Sequence, residues 1–191
     1  MRIHRNLRPQ DLFVLFRFLS PAARHYRQID LAFELGLSAT EVGHSIRRLI
    51  QSKLIHETRK PDRLAMVEFL LYGVKYFYPV EIGAISHGVV TAHSAPPISK
   101  NFRQNKVEDF YVWPTPEGEV LGQSITPLFS TAPQLYKSCP PVYELVTLLD
   151  AIRLNIPQVQ EFAEQELLSR INLALGNAEV GHDPMTAQLQ L

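Results

Sequence analysis

The tripeptide Gly36-Leu37-Ser38 constrains this chain more than any other stretch. It separates two segments whose apolar residues recur at helical spacing. Upstream, Ile29, Leu31, Ala32 and Leu35 form one apolar face on a helix from about Gln28 to Leu35. Gly36 follows where a helix ends in a left-handed residue, a conformation glycine takes without steric cost. Leu37 is expected to plug the core between the helices. Ser38 is placed to N-cap the next helix, and Glu41 three residues on completes a capping-box pattern. In that helix Val42, Ile46, Leu49 and Ile50 face inward, while Thr40, Gly43, His44, Arg47 and Gln51 face the other way with Arg48 at their flank. The stretch Tyr26 to Ile55 therefore predicts two helices joined by a tight turn, the second with a polar, basic outer face.

Net charge is zero over 191 residues, but it is unevenly spread. Residues 1–60 hold 11 Lys and Arg against 5 Asp and Glu; residues 61–191 hold 8 against 14. Such a basic head on an acidic body points to a polyanion partner for the head, because phosphate neutralisation supplies most sequence-independent affinity.

The residues Ala32, Gly36-Leu37-Ser38, Val42, Ile46, Leu49 and Leu54-Ile55 resemble the helix-turn-helix of bacterial winged-helix transcriptional regulators of the MarR and ArsR kind. The resemblance covers residues 9–60. It implies double-stranded DNA as partner, with the helix after the turn laid in the major groove. Carried over by position, Thr40, His44 and Arg47 are candidate base readers; an arginine can grip a guanine edge with two hydrogen bonds. Ser38 lies at a helix N-terminus suited to a phosphate. Arg24, Arg27, Arg48 and Lys53 are candidate backbone contacts, which position without specifying. After Ile55 the family makes a two-stranded wing. Here Pro61 opens a segment in which Leu64, Val67, Phe69, Leu70, Leu71, Val74 and Phe77 keep helical spacing. The wing is thus expected to be short or absent, replaced by a helix over 61–77, with His56, Arg59 and Lys60 left to touch a DNA flank. The aromatic richness of that helix suits either core or a subunit interface, since regulators of this type pair to match two half-sites.

Elsewhere the chain reads as follows. Arg2, Arg5 and Arg8, with His4, lie in a terminus read as frayed and solvated, the alternative being an arm that touches phosphate or reaches a minor groove. From Pro9 to Leu19 a strongly apolar helix is predicted, ended by Ser20-Pro21. Residues 79–141 hold nine prolines and no long periodicity, which implies loops and short strands. The segment from Ile82 to Phe102 reads as an ordered loop; His87 and His93 lack further ligands nearby, so no metal is expected. Phe110–Trp113 and Glu119–Gly122 read as a β-hairpin turned at Glu117-Gly118. Ser130 is expected to cap a short helix through Tyr136, Pro140-Pro141 to open another, and Asn155 to cap a last one from Pro157 to Leu175 with an acidic outer face at Glu161, Glu164 and Glu166.

The expected fold class is mainly α with a small β-hairpin: a DNA-binding module over 1–78, a region for dimerisation or sensing over 79–175, and a disordered polar tail over 176–191. No run of about eighteen apolar residues predicts a membrane span, MRIHRNLRPQ lacks the apolar core of a signal peptide, and one cysteine, Cys139, fits a reducing cytoplasm. No glycine-rich phosphate loop, metal-ligand spacing or nucleophile elbow suggests an enzyme, and no cofactor is expected. The function expected is a sequence-specific DNA-binding transcriptional regulator, a repressor acting as a homodimer. The alternative is an antitoxin-like protein that binds its own operator and holds a protein partner with its C-terminal half.

Overall fold

The computed structural model describes residues 6–176; Arg2, Arg5 and the tail from 177 onward lie outside the described residues. The fold is mainly helical with a three-stranded sheet. Its elements are α1 (Asp11–Arg17), α2 (Gln28–Leu35), α3 (Ala39–Gln51), α4 (Arg63–Val67), a π-helical stretch (Glu68–Gly73), α5 (Val74–Phe77), β1 (Ile82–Val90), β2 (Tyr111–Pro114), β3 (Val120–Ile125), α6 (Ala132–Ser138), α7 (Pro140–Arg153) and α8 (Pro157–Gly176). No helix is long and apolar enough to cross a membrane among the described residues.

The architecture is built around α7. Every residue from Leu145 to Arg153 is buried, polar ones included. A helix that is apolar nearly all round is stable only when jacketed on all sides, and α1, α5, α6, α8 and the short 3-10 turn Ala92–Ser94 supply the jacket. One buried cluster runs from Leu12 to Leu175. Leu12, Phe13, Val14 and Leu15 of α1 are 0% exposed, so the apolar helix expected near the N-terminus lies in the core, with Arg17 reaching its edge to pair with Glu34.

Burying Asp150 at 0% exposure requires that its charge and lone pairs be met inside the protein. Its Oδ2 accepts from Thr91 Oγ1 at 2.8 Å and Trp113 Nε1 at 2.7 Å, and its Oδ1 accepts from Arg153 Nη1. Arg153 Nε in turn donates to the Tyr78 carbonyl at 2.7 Å. The sheet and the chain leaving α5 are thus both tied to α7. Tyr143 adds a hydroxyl to the Val90 carbonyl at 2.7 Å, with its ring edge-on to Trp113.

The sheet departs from the sequence reading. Residues 82–90, expected to be loop, form β1, which pairs antiparallel with both β2 and β3. Gly, Ala and Ser are weak strand formers and most of β1 is exposed, so local pattern carried little signal. The expected hairpin is not formed either. β2 and β3 run parallel, with Tyr111 opposite Gln123 and Val112 opposite Ser124, and the three strands close on one another. Gly118 lies in a turn whose N–H donates to the Thr115 carbonyl, and its backbone abuts Gly88: a Cβ there would sit 2.2 Å from Gly88 backbone atoms. Close approach, not a left-handed turn, is what requires glycine at 118.

Three caps also differ. The helix over 63–77 is capped by Asp62, which accepts from Ala65 N at 2.9 Å, while Pro61 pairs with Ile55 in an isolated bridge. α6 starts after Thr131 rather than Ser130 and has no side-chain cap. Asn155 takes φ 56° and donates its N–H to the Ile152 carbonyl, so it closes α7 instead of opening α8.

His93 is buried between the rings of Phe102 and Tyr111, with no partner for Nδ1. Burial holds its pKa below the usual 6.5, against the pull of Asp109. The fold therefore accommodates the neutral ring, whereas the unfolded chain takes a proton near pH 6.5. The corresponding stability is complete above that pH and is lost as pH falls through it toward the lower folded-state value. Denaturant midpoints measured on both sides of pH 6.5 should show this decline, and His93→Phe should flatten it; an equally steep decline in the variant would place the acid sensitivity elsewhere. Asp150→Ala leaves Arg153, Trp113 and Thr91 without their acceptor. It should cost about 3–5 kcal/mol, seen as a fall in Tm on the order of 10 °C.

Candidate nucleic-acid interface

The turn between α2 and α3 forms as the sequence implies. Gly36 has φ 64° and ψ 32°, and the N–H of Leu37 donates to the Ala32 carbonyl at 2.9 Å. Leu37 is half-buried against the core. Ser38 Oγ accepts from Glu41 N at 3.1 Å and caps α3. The reciprocal half of the capping box is not made. Glu41 Oε1 instead accepts from Gln10 Nε2 at 2.9 Å and Arg48 Nη2 at 2.5 Å.

That diversion belongs to a buried network. Arg48, expected to flank the outer face and touch phosphate, has a side chain only 5% exposed. Its Nε and Nη2 bind both oxygens of Asp11, at 2.8 and 2.6 Å, and Nη2 also reaches Ser45 Oγ. Asp11 is 0% exposed, and a buried carboxylate needs a cation within reach. The ion pair outweighs any gain Arg48 has from solvent, so this residue fixes α3 against α1 and is not free for a ligand. Burial opposes the charge on Arg48, yet Asp11 and Glu41 together raise its pKa.

The other candidates divide by environment. Ser38, Thr40, Arg47, Gln51 and Lys53 are exposed. Arg47 Nε rests on the Gly43 carbonyl at 3.2 Å, one turn back, leaving its terminal nitrogens outward. Lys53 takes φ 60° just past the end of α3. His44 is partly exposed, with Nδ1 3.9 Å from Glu41 Oε2. Arg27 is exposed but engaged with Asp30; exposed pairs of this kind are worth little and exchange readily. Arg59 and Arg24 are structural. Arg59, at φ 64°, donates to the Tyr26 carbonyl at 2.7 Å and lies 5.9 Å from the Phe18 ring centre. Arg24 Nε donates to the Phe18 carbonyl at 2.9 Å, and burial lowers its pKa. The outer face thus gathers Ser38, Thr40, His44, Arg47, Gln51 and Lys53, and excludes Arg48 and Arg59.

Two features lay outside the sequence reading. Ile29, expected on the inner face of α2, is 60% exposed, and Phe33 beside it is 87% exposed. Leu31, Ala32 and Leu35 alone suffice to seat this short helix, so a four-residue apolar pattern overstated its buried arc. The second is a cleft of about 570 Å³ between the α3–α4 connection and the end of α8, lined by His56, Lys60, Asp62, Arg63, Leu64 and Asn172, with Leu175 beside them. Arg63 Nε donates to Asn172 Oδ1 at 2.8 Å across it. No local pattern signals a partner 109 positions away. Among the described residues no group of three or more His, Cys, Asp or Glu could hold a metal.

Arg47 and Arg48 should separate cleanly in stability. Arg48→Ala strands the Asp11 carboxylate and should cost about 3–5 kcal/mol, whereas Arg47→Ala should change unfolding free energy by less than about 0.5 kcal/mol. Denaturant unfolding of both variants measures this, and equal losses would contradict the burial assigned to Arg48. Compared with protein-family models, curated proteins and solved structures, the chain has no match.

Proposed function

We propose that this protein is a sequence-specific DNA-binding regulator of transcription, a helix-turn-helix repressor that acts as a homodimer by occupying promoter DNA. The observation that carries the reading is the outer face of α3. It presents Thr40, His44, Arg47 and Gln51, with Ser38 and Lys53 at its two ends, while the one acidic residue of the helix, Glu41, is spent on Arg48 and Gln10. A face with donors outward and no free carboxylate suits a phosphate-lined groove. A helix of 13 residues is about 20 Å long, a length that lies readily in a major groove.

The residues take distinct roles in this reading. Arg47 grips a guanine edge through its two terminal nitrogens, and Thr40 and His44 contact neighbouring bases or phosphates. Lys53 and Arg27 neutralise backbone charge on either side, Arg27 by exchanging Asp30 for phosphate. The Asp11–Arg48 pair holds α3 at a set angle, so the readers reach the groove together. The basic head and acidic body orient the molecule as it approaches DNA.

The test is a binding titration on a duplex selected from a randomised pool and on an unrelated duplex, at several salt concentrations. Arg47→Ala should lose about 1–3 kcal/mol on the selected duplex and much less on the unrelated one, whereas Lys53→Ala should weaken both alike and shallow the salt dependence by about one unit of slope. Absence of duplex binding by the folded wild-type protein at low salt would sink the proposal.

A further inference from the structure

We propose that the exposed stripe along residues 64–77 is the surface on which two copies of this chain pair about a two-fold axis. The inference rests on the homodimer in the reading above, but concerns which face forms it, and its test contains no DNA. Leu64, Tyr72, Tyr76 and Phe77 are 68%, 67%, 77% and 62% exposed, and Glu68 lies exposed between them. On the opposite side Met66, Leu70, Leu71 and Val74 are buried, with α4 against α8 and α5 against α7.

The stripe is straight for a structural reason. Leu64, Glu68, Tyr72 and Tyr76 are four residues apart, a spacing that runs ahead of the 3.6-residue α period. The middle of this helix, Glu68–Gly73, is π-helical, and the Val74 N–H donates to the Phe69 carbonyl five residues back. These wider turns absorb the drift. The four side chains therefore stay on one line instead of winding toward the core.

Size and charge select the occupant. Aromatic side chains can bury roughly 150–250 Å² each, so the stripe offers on the order of 500 Å², the size of the largest patch on a monomer, which is often a functional one. Two copies would bury on the order of 1,000 Å², the lower bound for a specific interface. The stripe is also self-complementary. Its acid is Glu68, and the base at its edge is Lys75, whose Nζ lies 5.4 Å from the Tyr76 ring centre and 3.2 Å from Asn155 Oδ1. An antiparallel pairing centred between Leu71 and Tyr72 sets position 68 of each copy opposite position 75 of the other. Both charges are then matched twice, and the two Tyr72 rings meet beside the axis, as an isologous contact requires. A membrane surface is disfavoured, because helices that lie on lipid are rich in Lys and Arg, whereas residues 64–77 hold one acid, Glu68, against one base, Lys75.

The test is sedimentation equilibrium of the full chain without DNA. Wild type should show a reversible monomer–dimer equilibrium. Glu68→Lys and Lys75→Glu should each weaken dimerisation roughly tenfold or more, and the double exchange should restore most of the loss. Tyr72→Ser/Tyr76→Ser should leave a monomer with unchanged circular dichroism. A wild-type monomer at the highest attainable concentration would overturn the proposal. So would a dimer indifferent to the single charge reversals, or a double exchange without rescue. Co-sedimentation of a wild-type monomer with vesicles of phosphatidylcholine and phosphatidylglycerol would assign the stripe to lipid instead.

Discussion

The carboxylate of Asp150 sits in the last turn of α7, in the stretch Leu145–Arg153 that has no face toward water. A charge in that position must be answered from several directions at once, and the answers come from three parts of the chain. Thr91 arrives from the end of β1, Trp113 from β2, and Arg153 from one turn further along α7. Because Arg153 also takes the carbonyl of Tyr78, the helix before the sheet is referenced to the same point. Apolar contact alone would let these elements slide against α7. An unmet buried charge would not, since stranding it costs several kcal/mol.

The same device recurs between α1 and α3. Asp11 on α1 is as buried as Asp150, and Arg48 on α3 answers it. α1 packs on α7 as well as on α3. The orientation of the exposed α3 face is therefore set by a chain of contacts that begins in the core of the C-terminal half. Glu41 joins this chain by giving up half of its capping role, which also removes a negative charge from the face that carries Arg47.

What could be read from the sequence follows from how local each cause is. Gly36, Ser38 and the Val42, Ile46, Leu49 spacing act within a few residues, and the turn and α3 formed where expected. That a helix follows α3 was legible because the apolar spacing after Pro61 is also local; an isolated Ile55–Pro61 bridge precedes it. Arg48 was misplaced because periodicity sees its neighbours and not Asp11, 37 positions away. Arg59 was misplaced likewise, being held by the Tyr26 carbonyl, 33 positions away. The sheet was least legible. β1 is broken up by Gly83, Ala84, Ser86 and Gly88 and lacks a buried alternation, and β2 and β3 read as a hairpin because adjacent strands usually pair with each other, whereas here each takes β1 as its antiparallel partner.

The short contact at the α2–α3 turn carries a consequence for how the molecule comes apart. Thr131 Oγ1, just before α6, donates to the carbonyl of Leu35 at 3.2 Å, across 96 positions of sequence. Thr131 and Gln134 also crowd Gly36, at 3.1 and 2.9 Å from where a Cβ would stand. The last carbonyl of α2 is thus finished by the far half of the chain, and the apolar face of α1 is covered by α7. Cut free at residue 78, the N-terminal portion would expose both. The exposed face of α3 and the buried body therefore melt as one cooperative unit, and a partner that grips the body alters the folding free energy of the turn itself.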